Sequence, residues 1–98
     1  METKKTIELS SEIEKRSNLD VTDLNGEKIM MNLERGEYLA LNDVGSRIWE
    51  IIDGAVNVSV NDIINTLINE YNIDFKTCEA SVMAFLGSLS NAELIHIN

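Results

Sequence analysis

The sequence carries one histidine, His96, and one cysteine, Cys78, among seventeen carboxylates. Enzymatic chemistry asks such groups to converge as nucleophile, base and orienting partner, and their spacing here argues against it. His96 lies near the C-terminus in an alternating Leu94-Ile95-His96-Ile97 run that reads as a short strand. Cys78 falls on the apolar stripe of a helix, where cysteine behaves as a small hydrophobe. The carboxylates are scattered along polar faces, which fits a solvated acidic surface better than a catalytic pair. One cysteine forms no internal disulfide, and one His with one Cys cannot close a four-ligand zinc site. No catalytic residue, metal or other cofactor is expected.

Three further patterns fail on spacing. Asp20, Asp23, Asn25 and Gly26 suggest a calcium loop, but with Gly26 in the sixth position the first would be Val21, which has no side-chain oxygen. Gly87-Ser88-Leu89 has the look of a carrier-protein attachment site, yet its serine comes late in a helix. The glycines at 26, 36, 45, 54 and 87 are too far apart for a phosphate loop or a dinucleotide fingerprint.

Charge narrows the partners. The formal charge is -9 over 98 residues, and from Tyr38 onward eight acids face only Arg47 and Lys76. Nucleic-acid binding draws on lysines and arginines that displace counterions, so the expected partners are neutral or basic and nucleic acid is not among them. Met1-Glu2-Thr3-Lys4-Lys5 leads into alternating residues instead of the apolar run of a secretory signal. No stretch of ~18 apolar residues is present to span a bilayer. The expectation is a cytoplasmic protein with no membrane partner.

The elements that position these residues read in two halves. Asn25-Gly26 suits a two-residue hairpin turn, in which both residues take positive φ, so residues 18–24 should fold back on 27–33. There Ile29, Met31 and Leu33 share one face and Met30 the other. A turn at Glu34-Arg35-Gly36-Glu37 delivers a short third strand, Tyr38-Leu39-Ala40-Leu41. After Leu41 the period becomes helical. Asn42 caps a helix striped by Val44, Ile48, Ile51 and Ile52, with Trp49 at its border, and Asp53-Gly54 ends it. Ser59 and Asp62 start a second helix striped by Val60, Ile63, Ile64, Leu67, Ile68 and Tyr71. Asp74 caps a third, striped by Phe75, Cys78, Val82, Phe85, Leu86 and Leu89. The predicted fold class is α+β, a three-stranded antiparallel N-terminal meander followed by three helices in a winged-helix-like order. Residues 18–98 form the domain, and 1–17 are an N-terminal segment, flexible or a short strand.

The third strand is short and runs straight into a helix. If it lies at an edge, its free N–H and C=O groups can pair with an added strand; if not, Tyr38 to Leu41 pack as core. Both readings stand on residue type alone. Met30, Met31 and Met83 are adaptable side chains of the kind peptide-binding surfaces use, although methionines more often fill cores.

The run Tyr38-Leu39-Ala40-Leu41-Asn42-Asp43-Val44-Gly45-Ser46-Arg47-Ile48-Trp49 resembles the PqqD family: an aromatic, then leucine-asparagine, glycine and isoleucine-tryptophan. The likeness extends over roughly residues 18–96. One departure is Glu93, where the family usually has glycine before the terminal leucine, which puts the last turn in question. The family comprises leader-peptide recognition elements of ribosomally made, post-translationally modified peptides. The resemblance implies a non-catalytic domain whose third strand and third helix clamp a precursor's leader and hand it to a leader peptidase or other modifying enzyme. Met30-Met31-Asn32-Leu33, Gly36 and the Cys78 helix look most like the standalone recognition proteins of lasso-peptide clusters. Carried over by position, the backbone of Leu39, Ala40 and Leu41 would pair with the leader beside Tyr38. Val82, Met83 and Leu86, extended by Met30, would offer apolar pockets, and Glu34 and Glu79 would be rim charges for a lysine-containing leader. The alternative is a small acidic regulatory adaptor that binds another protein through the same groove. An open edge also leaves room for a homodimer.

Overall fold

Turn and cap residues set the element boundaries. In the computed structural model, which describes residues 6–25 and 27–98, Asn25 takes φ 55° and Gly36 φ 72°. Strand β2 (Leu19–Leu24) pairs antiparallel with β3 (Glu27–Asn32) in a register that sets Leu24 against Glu27, leaving the two-residue connection expected at Asn25-Gly26. Gly26 itself lies outside the described residues. β3 then pairs antiparallel with β4 (Tyr38–Leu41), giving a meander in the order β2-β3-β4. Three helices follow, α1 (Asp43–Asp53), α2 (Val60–Tyr71) and α3 (Phe75–Asn91). Each has the expected cap: the side chains of Asn42, Ser59 and Asp74 accept from the backbone N–H of Gly45, Asp62 and Thr77, satisfying donors that the first turn leaves orphaned. The α+β architecture of a meander followed by three helices is thus present.

A second small sheet joins the ends of the chain. β1 (Glu12–Lys15) lies between β5 (Val58–Ser59) and β6 (Ile95–Ile97), antiparallel to both. β6 is the alternating C-terminal run, and it pairs with β1 instead of extending the meander. Ile13, at the centre of β1, is fully buried in the one core, together with Met30, Leu41, Ile48, Ile52, Ile63, Leu67, Val82 and Leu86. The helix stripes hold in their middles and shift at their ends. Trp49, expected at a border, is buried, whereas Val44, Tyr71 and Phe75 are exposed because they sit in first or last turns that outrun the core. Among the described residues no helix is long and apolar enough to cross a membrane.

Candidate functional site

β4 has a partner on one side only. Among the described residues no strand lies beyond it, so half of its main-chain groups face outward. The register identifies which. Asn32 N–H donates to Glu37 O at 2.8 Å, marking Asn32 and Glu37 as a hydrogen-bonded pair. Antiparallel pairs alternate between bonded and non-bonded, so Leu39 with Met30 and Leu41 with Lys28 also spend their N–H and C=O groups on β3. The N–H and C=O of Tyr38 and Ala40 therefore point to the open edge. The resemblance implies pairing through the backbone of Leu39, Ala40 and Leu41 with Tyr38 beside them; in this register Ala40 alone of the three faces outward, together with Tyr38.

Past the end of β4 the surface drops into a shallow cleft of about 220 Å³ between the first turns of α1 and the middle of α3. Asn42, Val44, Gly45 and Ile48 line one wall, Ser81 and Phe85 the other. Gly45 makes the approach possible: a Cβ there would stand 3.0 Å from the Phe85 ring edge and 3.2 Å from Asn42 Oδ1. Asn42 Oδ1 in turn accepts from Gly45 N at 2.7 Å, so the cap and the close contact fix one another.

The apolar side chains nominated for this groove are placed elsewhere. Met30, Val82 and Leu86 have no solvent exposure and belong to the core; side chains packed on all sides cannot line an open groove. On a helix of 3.6 residues per turn, Ser81 and Phe85 lie on one flank of the buried stripe Cys78, Val82, Leu86 and Leu89, and Glu79 and Met83 on the other. The cleft is on the Phe85 flank, so Met83, half-buried against the core, and Glu79 face away from it. Glu34 is exposed in the turn before β4. Val44, Ser81 and Phe85 had not been singled out as site residues. Phe85 is the one whose position at the edge of the α3 stripe gave a usable signal.

One buried polar side chain ties the sheet to α3. Asn32, 1% exposed, donates to Ala92 O at 2.8 Å, and its Oδ1 accepts from Glu34 N at 3.0 Å, Arg35 N at 3.1 Å and Asn18 Nδ2 at 3.1 Å. Arg35 adds a second tie by donating to Asn91 O at 3.1 Å and pairing with Glu37 and Glu93. The turn before β4 is thereby pinned to the C-terminal end of α3, and that fixes one end of the space between strand and helix.

Among the described residues no acid or base lines the cleft. Perturbed groups lie on other surfaces and have structural causes. Arg47, held protonated by Glu70 and Glu50, bridges α1 and α2, and its hydrogen bonds keep the Glu70 carboxyl below the usual carboxylate range. Thr77 does the same for the capping Asp74. Burial pushes the Cys78 thiol up, away from the reactive thiolate.

The described residues thus leave the β4 edge open beside a cleft of mostly apolar lining. The chain belongs to the PqqD family: the family model, described as coenzyme PQQ synthesis protein D, matches residues 27–95, from β3 into β6. Its fold is similar to that of TbiB1, solved in complex with the TbiA(beta) leader peptide, with 28% sequence identity, a TM-score of 0.73, and coverage of 85% of this chain and 94% of that one. It is also similar to a lasso peptide synthetase B1 complexed with the leader peptide, at 24% identity and a TM-score of 0.71 over 86% and 96% of the two chains. At that identity the second likeness speaks to the fold. No curated protein matches the chain.

Proposed function

We propose that this protein binds the leader segment of a ribosomally synthesised precursor peptide and delivers it to the enzymes that process it, performing no chemistry itself. The leader adds as a strand to the outer edge of β4, exchanging main-chain hydrogen bonds with Tyr38 and Ala40. Alternate side chains of an added strand point to opposite faces, so one set turns toward the cleft lined by Val44, Ser81 and Phe85. The observation that carries this reading is the unpaired edge at Tyr38 and Ala40 beside that cleft. The similarity to TbiB1 with its bound leader peptide supports it, and the Met30-Met31-Asn32-Leu33 run and Gly36 favour a precursor of the lasso type.

The test is Ala40→Pro. Proline is tolerated on an edge strand when the lost N–H faces away from its own sheet, so the variant should fold. It removes a donor that only the added strand would use, and leader affinity measured by titration calorimetry should fall at least tenfold. Leu39→Pro is the contrast, because it deletes a donor used by β3 and should destabilise the fold itself. A folded Ala40→Pro variant that binds the leader within twofold of the parent overturns the reading. A scrambled leader bound as well as the natural one would point to the regulatory adaptor instead.

A further inference from the structure

The helix layer is covered at one end and open at the other. β5 runs straight into α2, β6 follows α3, and Lys15 of β1 pairs with Asp53 at the close of α1. The small sheet therefore caps the end where α1 finishes, α2 starts and α3 finishes. At the far end α1 starts, α2 finishes and α3 starts. There Arg47 donates to Glu70 at 2.8 Å, Tyr71 lines a hollow with Asp43, Ser46 and Arg47, and Val44 and Gly45 meet Ser81 and Phe85 across the cleft. The chain from Tyr71 to Ser81 thus wraps the first turn of α1. All three helix stripes reach the surface at this end: Tyr71 is 44% exposed, Val44 and Phe75 39%, and Ile73, in the connecting turn, 37%. Exposed apolar side chains grouped in this way mark an interaction surface.

We infer that this open end binds the leader residues that precede the paired strand, as a flank that is apolar and free of acids. The inference rests on the leader-binding reading and extends the same site. Strand addition alone leaves a shortfall. The free edge offers main-chain groups at Tyr38 and Ala40 only, and the net gain of a hydrogen bond is of the same order as the backbone freedom a residue loses in making it. Useful affinity must come from apolar surface outside the strand. Direction says where that surface lies. β4 runs toward α1, and antiparallel addition, the slightly stronger kind, sends the leader the other way, so its preceding residues lie at the α1 end. Val44 belongs both to the cleft and to the open end, which makes the path continuous. Charge sets the composition. Arg47 is held by Glu50 and Glu70, and the exposed acids Asp43 and Asp74 outnumber Lys76. A second copy would meet those acids with its own, on chains of -9 each, whereas a neutral or basic flank is complementary.

The experiment uses the full chain and synthetic peptides covering the leader of the precursor encoded beside it. Peptides shortened stepwise from the N-terminus define a minimal one, the shortest whose affinity Ala40→Pro still lowers; it holds the paired segment without its flank. The parent should bind the complete leader at least tenfold more tightly than the minimal peptide, and glutamates placed in the flank should remove that gain. Ile73→Ser/Phe75→Ser should lose at least fivefold toward the complete leader yet bind the minimal peptide within twofold of the parent, which also reports that it has folded. Should the pair unfold the chain, Ile73→Ser alone, in the turn, serves with at least a threefold loss. Equal affinity of the parent for both peptides, undiminished binding of the complete leader by the folded variant, or an equal loss on both peptides would each overturn the inference. So would a gain that resides in residues following the paired segment, or a parent dimer that the variant dissociates. A parent that binds no leader, or one whose affinity is indifferent to Ala40→Pro, tells against the leader-binding reading itself and is seen without the Ile73 variants.

Discussion

Glu93 holds φ at 57°, in the left-handed region that suits glycine. A non-glycine residue there costs roughly 1–2 kcal/mol from the contact between Cβ and the following carbonyl. The turn needs that conformation: it lets Leu94 N–H donate to Leu89 O at 2.9 Å and sends Leu94 and Ile95 into the core. The glycine that the resemblance implies at this position therefore has a backbone reason, and Glu93 offsets little of its strain through an exposed ion pair with Arg35 at 3.4 Å. Glu93→Gly should stabilise the fold by about 0.5–1 kcal/mol after glycine's own entropy cost, visible as a rise of several degrees in the thermal midpoint. An unchanged or lowered midpoint would show that the Arg35 contact outweighs the strain. At this scale the sequence was informative where the cause is local. The caps Asn42, Ser59 and Asp74 act within three residues of themselves, and each is where its type implied. The groove side chains were not legible. Whether Val82 or Phe85 faces the cleft depends on which flank of α3 meets α1, and that is decided by the contact of Gly45 with Phe85, forty residues apart in sequence.

Among elements, the meander is the part that has to be held in place, and Asn32 holds it. The strand places this side chain inward with Met30, where a polar group persists only if its hydrogen bonds are met. All of its capacity is used at the turn and at Ala92 O. Asn32→Ala would leave two N–H groups and a carbonyl without their partner, and should cost about 2–3 kcal/mol in urea unfolding. Since β4 is then no longer pinned to the end of α3, leader affinity should fall as well, even at temperatures where the variant remains folded. Stability within 0.5 kcal/mol of the parent, on the order of the error for a surface change, would mean that Arg35 alone suffices. The three meander strands and three helices could be read from turn signals and a change of period. The sheet of β1, β5 and β6 could not, because β5 has two residues and β1 depends on pairing across nearly the whole chain. Asn98 N–H, for example, donates to Glu12 O at 2.8 Å. Pairings of such separation leave no local pattern.

For the molecule as a whole, net charge and open edges act together. The meander exposes two edges, and they differ: β2 carries Asp20 and Asp23, the kind of charge that blocks pairing with another sheet, while β4 carries none. Selection at the β4 edge then falls to the field of the whole chain. With -9 charges, one copy repels another, whereas a lysine-containing leader would be drawn in and reach the edge faster. Screening weakens both effects, since the Debye length shortens from about 10 Å at 0.1 M salt to about 3 Å at 1 M. The same edge should therefore show opposite salt responses toward its two possible occupants. Stopped-flow measurements between roughly 0.05 and 0.5 M salt should find the association rate for leader falling several-fold with little change in dissociation. Sedimentation over the same range should find a monomer at low salt and self-association, if any, only at the high end. A leader association rate indifferent to salt would remove the electrostatic part of this account, and a dimer that forms at low salt and dissociates at high salt would reverse its sign.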